Sequence, residues 1–264
     1  MSRKENYSRP LILISNDDGY QALGVRTLVE WLKPYGDIIA VCPDGARSGQ
    51  SMAITVTGHL RLSHLEERDE PGVIWYKVNG TPVDCVKLAM HTICKDRKPD
   101  LVVAGINHGS NSAVNVIYSG TMGAAMEGCA FGIPSIGFSL TDHNPKANFL
   151  PCRPYVEEIT EKVLANGLSE GICLNVNIPA TDRELKGMRI VRSCKGNWND
   201  EYAEYTDPHG GKFYILTGSF VNDEPEADDT DEWCLAHDIV SVTPVKLDRT
   251  ATPEDTPSWL TTRS

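Results

Sequence analysis

Short apolar runs of strand length alternate with helically spaced segments through the first two-thirds of the chain. That alternation predicts an α/β protein with a mostly parallel sheet and helices on both faces. Past Pro179 the alternation stops, and polar turns separate short β runs. The expected organisation of the 264 residues is one α/β core over residues 1–180 and a β-rich C-terminal extension over residues 181–264.

Leu11-Ile12-Leu13-Ile14 is the first apolar run, and Asn16-Asp17-Asp18-Gly19 ends it. Residues 24–35 place Val25, Leu28, Val29 and Leu32 at helical spacing. Ile38-Ile39-Ala40-Val41 is the second strand, halted by Pro43-Asp44-Gly45. Together these make a β-loop-α-β unit, which closes with a right-handed crossover. Residues 73–78 (VIWYKV) form a third strand. Thr81, followed by Pro82 at the first helical position, opens a helix with Val83, Val86, Leu88 and Met90 as apolar positions. Leu101-Val102-Val103-Ala104 is the fourth strand, residues 121–131 a helix and residues 133–139 the fifth strand. Residues 155–168 read as a helix and 173–178 as the sixth strand. In the extension, residues 188–191, 213–217 and 239–242 are β runs. Residues 223–232 (DEPEADDTDE) read as a solvated acidic loop. Trp259 and Leu260, in a Thr- and Pro-rich tail, suit packing on a partner chain.

Hydrophobic residues at 41% and charged residues at 23% fit a globular chain and exclude a disordered or fibrous one. Lys and Arg number 25 against 36 Asp and Glu, a net charge of −11. So acidic a chain is a poor generic partner for duplex nucleic acid or an anionic membrane. No run of ~18 apolar residues offers a membrane span, and the N-terminus MSRKENYSRP has no apolar core of signal-peptide length. Eight cysteines are scattered singly, mostly inside apolar runs and without a C-x-x-C pair. They read as reduced, buried thiols and point to the cytoplasm.

Ligands of open parallel sheets bind at the carboxyl ends of the strands, so the loops that follow the strands carry the chemistry. In Ser15-Asn16-Asp17-Asp18-Gly19 two adjacent carboxylates leave a buried strand. A hard divalent cation would offset their repulsion; equally, either Asp reads as the N-cap of the next helix. In the loop from Pro43 to Ser51, Ser48 offers a hydroxyl, Gly49 a close backbone N–H and Arg47 a cation, and the same residues also read as a surface turn. Asn107 leaves the fourth strand with an amide oxygen, and Ser119-Gly120-Thr121 opens a helix of small residues. The free N–H groups there make an anion site. Asn107 also reads as a turn residue, Ser119 as an N-cap and His108 as a polar surface residue. In one crevice these groups would supply an all-oxygen ligand set, suited to Mg²⁺, Mn²⁺ or Ca²⁺ better than to Zn²⁺. The matching chemistry is metal-assisted hydrolysis of a phosphate ester. The sequence has no P-loop, no G-x-G-x-x-G after the first strand and no G-x-S-x-G elbow.

Five stretches occur in order: ILISNDDGYQALGVRTLVEWL, CPDGARSGQSMAIT, NGTPVDCVKLA, DLVVAGINHGSN and YSGTMGAAMEG. Together they resemble the SurE (survival protein E) family of nucleotidases over most of residues 11–140, and more weakly at residues 174–179 and 241–244. The resemblance implies a Rossmann-like core and a phosphatase acting on nucleoside 5′- and 3′-monophosphates, with polyphosphate as a further substrate of some members. It implies one divalent ion per subunit held by Asp17, Asp18, Ser48 and Asn107; in the mechanism read from these residues, Asp17 or Asp18 takes the proton of the attacking water. Gly49, Ser119, Gly120 and Thr121 would bind phosphate. It also implies a homodimer or tetramer in which the extension exchanges elements between subunits. The chain departs from the family pattern at Ala104, where Ser is common, and at Ala113 and Asn115, which stand where the family has Gly and Asp.

Overall fold

A computed structural model describes residues 9–251 of the chain. In chain order the elements are β1 (Leu11–Ser15), α1 (Leu23–Leu32), β2 (Asp37–Pro43), β3 (Leu62–His64), β4 (Val73–Val78) and α2 (Pro82–His91). Then come β5 (Leu101–His108), α3 (Asn115–Tyr118), α4 (Gly120–Ala130), β6 (Ser135–Leu140), α5 (Arg153–Asn166) and β7 (Ile172–Ile178). The rest are β8 (Met188–Ile190), β9 (Gly196–Asn199), β10 (Tyr202–Thr206), β11 (Lys212–Leu216), β12 (Ser219–Asn222), α6 (Asp231–Ala236) and β13 (Val240–Lys246).

A nine-stranded sheet runs in the order β3-β4-β2-β1-β5-β6-β7-β13-β8. The six strands from β4 to β7 are mutually parallel. β3 pairs antiparallel at one edge, and β13 pairs antiparallel with β7 and parallel with β8. The expected mostly parallel sheet with helices on both faces is therefore present. Both faces of β1 are covered, which is why it reads as an unbroken apolar run. Ile12 and Ile14 pack with Val25 and Leu28 of α1 and Val156 of α5, while Leu11 and Leu13 pack with Val86 of α2 and Met122 of α4. α2 opens on a full capping box: Thr81 Oγ1 accepts from the Asp84 N–H (3.1 Å), and Asp84 Oδ2 accepts from the Thr81 N–H (2.9 Å).

Residues beyond 180 divide between this sheet and a projection. β8 and β13 belong to the sheet. Between them β9 pairs with β12 and β10 with β11, so residues 196–222 form one long two-stranded arm. Its outer part exposes Tyr202, Tyr205, Phe213, Tyr214, Ile215 and Leu216. The acidic stretch 223–232 is solvated only as far as Asp229. Thr230 and Asp231 are buried, and Thr230 Oγ1 caps α6 by accepting from the Trp233 N–H at 3.3 Å. The expectation of a solvated loop fails at that end because a short helix begins there. Trp259 and Leu260 lie outside the described residues.

β1 is the point from which the chain builds outward in both directions, to β2 and β4 on one side and to β5, β6 and β7 on the other. The strand order reverses there, so the carboxyl ends of β1 and β5 are the place where an open parallel sheet binds its ligand. α1 lies against β5 at its first turn because Gly24 has no side chain: a Cβ there would stand 2.0 Å from the Ile106 carbonyl oxygen. Gly24→Ala should therefore push α1 off the strand that carries Asn107. Overpacking of this kind costs about 1–3 kcal/mol. Urea unfolding should show a lower midpoint for the variant, whereas an unchanged midpoint would mean that the contact is loose.

Candidate active site

The first loop leaves β1 at Ser15. Asn16 Nδ2 donates to the Gly19 carbonyl (2.9 Å), which closes a tight turn over Asp17 and Asp18. Asp17 is only 4% exposed. Its Oδ1 accepts from Thr121 Oγ1 at 2.5 Å, and the Thr121 N–H also donates to it. Asp17 thus reaches the start of α4, and Gly120 permits the approach: a Cβ there would lie 2.8 Å from Asp17 Cβ. Burial first, and the neighbouring Asp18 second, raise the Asp17 pKa to about 6 against the opposing pull of Thr121. Asp18 is less buried. Its Oδ2 accepts from the His108 N–H (3.3 Å), and burial raises its pKa while His108 opposes the rise.

The second loop is strung between the other two. The Arg47 N–H donates to the Asp17 carbonyl (2.6 Å), and the Ser51 N–H donates to the Tyr118 carbonyl (3.0 Å). Ser51 Oγ donates to the Ile117 carbonyl (2.5 Å). Ser48 and Gly49 lie between these ties. Both are exposed, and Ser48 makes no side-chain hydrogen bond among the described residues. The Arg47 guanidinium pairs with Asp44 (3.1 Å).

The third loop begins with Asn107, whose Nδ2 donates to the Gly109 carbonyl (2.9 Å) and whose Oδ1 has no hydrogen-bond partner among the described residues. The His108 ring is held by the Asn144 carbonyl (Nδ1···O 2.9 Å) and lies edge-on to Phe149. Ser119 caps α4, accepting from the Met122 N–H (3.0 Å). The structure therefore brings Asp17, Asp18, Gly120 and Thr121 into direct contact with one another or with their loops. It holds Asn107 beside them through His108. It places Ser48 and Gly49 on the adjoining rim. The Thr121 hydroxyl, expected on the phosphate side, is committed to Asp17.

A buried polar network, missed in the sequence, fixes the third loop. Asn177 Oδ1 accepts from the Asn111 N–H (2.7 Å), Asn175 Nδ2 donates to the Asn111 carbonyl (2.7 Å), and Asn111 Nδ2 donates to Ser139 Oγ (2.7 Å). Ser112 Oγ donates to Glu232, and Asp231 accepts from the N–H groups of Ala113 and Cys194, both at 2.8 Å. The signal that could have revealed Asn175 and Asn177 is their alternation with apolar residues in a strand, which marks one polar face. Ala113 adopts a φ of +50°, the left-handed region that favours glycine. Asn115 Oδ1 accepts from Trp198 Nε1 (2.8 Å) and so ties the loop to the base of the arm.

Chemically, two crowded carboxylates and a free amide oxygen stand beside a helix start. Carboxylate and amide oxygens are the donors that hard divalent cations accept. Among the described residues no cluster of three or more His, Cys, Asp or Glu side chains forms, so an ion held here would draw on amide and hydroxyl oxygens as well. Without a cation, the ionised Asp17 is a burden on the fold. Its pKa is raised, so the cost is absent below the ordinary carboxylate pKa and fully present above about 6. In chelator-treated protein, Asp17→Asn should stabilise the chain at pH 8 by about 2–3 kcal/mol. The gain should vanish as the pH falls through 6 towards 4. Chemical denaturation at both pH values checks this; equal stabilisation at each would refute the origin in charge burial.

The chain matches the model of the family described as Survival protein SurE over residues 12–200. It is 52% identical over 243 residues to the 5′-nucleotidase SurE of Phocaeicola vulgatus, covering 92% of this chain and 93% of that protein. To the 5′-nucleotidase SurE of Cytophaga hutchinsonii it is 48% identical over 245 residues, covering 92% and 93%. The crystal structure of the SurE protein from Aquifex aeolicus superposes with a TM-score of 0.78 at 37% identity, covering 91% of this chain and 95% of that one. With the family model matched over most of its length and relatives about half identical across nearly all of it, this chain belongs to the SurE family.

Proposed function

We propose that the chain is a divalent-metal-dependent phosphohydrolase that releases phosphate from nucleoside 5′-monophosphates and, as a second activity, from 3′-monophosphates. The observation that carries this reading is the pair of carboxylates packed against the start of α4, in a chain whose relatives are named 5′-nucleotidases. A phosphate dianion cannot approach two carboxylates unless positive charge stands between them, and Arg47, the cation of the second loop, is already paired with Asp44.

Asp17, Asp18, Asn107 and Ser48 would hold one Mg²⁺, Mn²⁺ or Ca²⁺ per subunit. Such an ion supplies charge neutralisation and acidifies water. Asp17 is committed to Thr121 and orients the site. The less buried Asp18 is the carboxylate that takes the proton from the attacking water. Gly49 and the Ser119-Gly120-Thr121 turn offer N–H groups to the phosphoryl oxygens, in the preorganised manner that stabilises developing negative charge. Duplex nucleic acid is no partner of so acidic a chain. Among the described residues no helix is long and apolar enough to cross a membrane. Eight free, buried cysteines fit the reducing cytoplasm.

The arm supplies the second half of the proposal. Its exposed aromatic and aliphatic residues make the extension a dimerisation segment and the enzyme a homodimer or tetramer.

Phosphate release from a panel of 5′- and 3′-monophosphates should require an added divalent ion and stop with chelator. Asp18→Asn should lower turnover by about 10²-fold or more and weaken Mn²⁺ binding in a calorimetric titration. Full activity in chelator, or wild-type Mn²⁺ affinity in the variant, would refute the assignment. Replacing residues 201–217 with a two-residue turn should leave the nine-stranded sheet folded and give a monomer by light scattering. An unchanged oligomer would place the interface elsewhere.

A further inference from the structure

The amide of Asn107 has one end that a cation can use and one that it cannot: Oδ1 carries lone pairs, whereas Nδ2 carries hydrogens to donate. Which end is left free is decided by Gly109. Its carbonyl accepts from Nδ2 (2.9 Å), so Oδ1 is the end without a partner among the described residues. The direction of that carbonyl is fixed in turn from both sides. Before it, the Gly109 N–H donates to the Leu140 carbonyl (2.8 Å). After it, the Asn111 N–H donates to Asn177 Oδ1 (2.7 Å), to which Ser110 Oγ also donates (3.4 Å). Asn177 is wholly buried, and its own amide is held because Nδ2 donates to Asn175 Oδ1 (3.0 Å). Asn107, Ser139 and Asn177 stand in one row across β5, β6 and β7. Two strand spacings, roughly 10 Å, separate Asn107 from Asn177 along that row, so Asn177 reaches Asn107 through the backbone of residues 109–111.

We propose that Asn177 is a positioning residue for the divalent ion: it holds residues 109–111 so that the Gly109 carbonyl keeps the Asn107 amide with its oxygen free. This rests on the reading of Asn107 as a metal ligand. Asn177 touches neither the ion nor the substrate. It acts by supplying the acceptor that the buried Asn111 N–H needs. With that acceptor removed, the peptide between Gly109 and Ser110 is free to turn. The Asn107 amide then loses the carbonyl that orients it, and a flipped amide presents hydrogens to a cation instead of lone pairs. Partners that orient a ligand from behind in this way are worth about 10–100-fold in metal affinity. The glycine is part of the device. Gly109 adopts a φ of +113°, and a Cβ there would stand 2.3 Å from the His143 ring, so a residue with a side chain could not hold the carbonyl in this direction.

The test titrates Mn²⁺ calorimetrically into the full chain, stripped of metal beforehand, and follows urea unfolding of the same samples without metal. Asn177→Leu keeps the volume and removes the acceptor for the Asn111 N–H. Its Mn²⁺ affinity should fall about 10–100-fold. Asn177→Ser, whose hydroxyl is too short to reach that N–H, should show the same loss and serves where Asn177→Leu does not fold. A double-mutant cycle assigns the effect to Asn107. In Asn107→Asp the carboxylate has two equivalent oxygens and needs no orientation, so adding either substitution at Asn177 should cost no further Mn²⁺ affinity. Variants at Asn177 that unfold at lower urea yet bind Mn²⁺ as tightly as wild type would show a merely structural residue and overturn the proposal. An equal loss of affinity in the Asn107→Asp background would overturn it too. Wild-type Mn²⁺ affinity in Asn107→Ala would overturn the reading of Asn107 as a ligand, and this proposal with it.

Discussion

The contact of Asp17 with the first turn of α4 is the constraint around which the site is built. A carboxylate with 4% exposure is costly. The free N–H groups and positive end of α4 offset part of that cost, and the Thr121 hydroxyl adds a charge-assisted hydrogen bond worth roughly 1.5–3 kcal/mol. The offset is incomplete, as the raised pKa of Asp17 shows. What remains is an electrostatic deficit that the fold alone does not settle. Positive charge placed beside Asp17 would relieve that deficit.

The third loop obeys a different constraint. It is polar, buried and irregular, so each of its backbone groups needs a partner. Asn175 and Asn177 supply partners from β7, and Asp231 and Glu232 supply them from α6. Residues near the end of the chain therefore shape the loop that begins at Asn107. The positive φ of Ala113 is held in place by the same acceptor, since the Ala113 N–H donates to Asp231. Local strain of that kind persists where the surroundings over-determine it.

Much of this was legible in the sequence where the governing interaction is local. The capping box at Thr81, the Ser119 cap and the break after β1 each lie within a few residues, and each follows from the chemistry of those residues. The parallel core was legible because strands covered on both faces are apolar throughout. The bond between Thr121 and Asp17 spans 104 residues and leaves no local trace. Asp231 misleads for a physical reason: acidic runs are normally solvated, yet this carboxylate is buried to satisfy N–H groups of Ala113, Cys194 and Glu232. β3 is three residues long at an edge, and β10 is largely exposed, so neither shows the periodicity that burial imposes; β11, rich in aromatic and β-branched residues, was legible as the β run 213–217.

β13 has a consequence for how the chain folds. The six mutually parallel strands have all been synthesised by Ile178, but β7 stays an edge strand until β13 follows, about sixty residues later. During that interval its outward row of N–H and C=O groups is unpaired. Such an edge is open to pairing with another chain. A product that stops before Val240 would carry Asp17, Asp18, Asn107 and Thr121 in full and still lack the strand that closes its sheet. For this chain, the hazard of premature termination is misassembly along β7 rather than loss of any residue of the site.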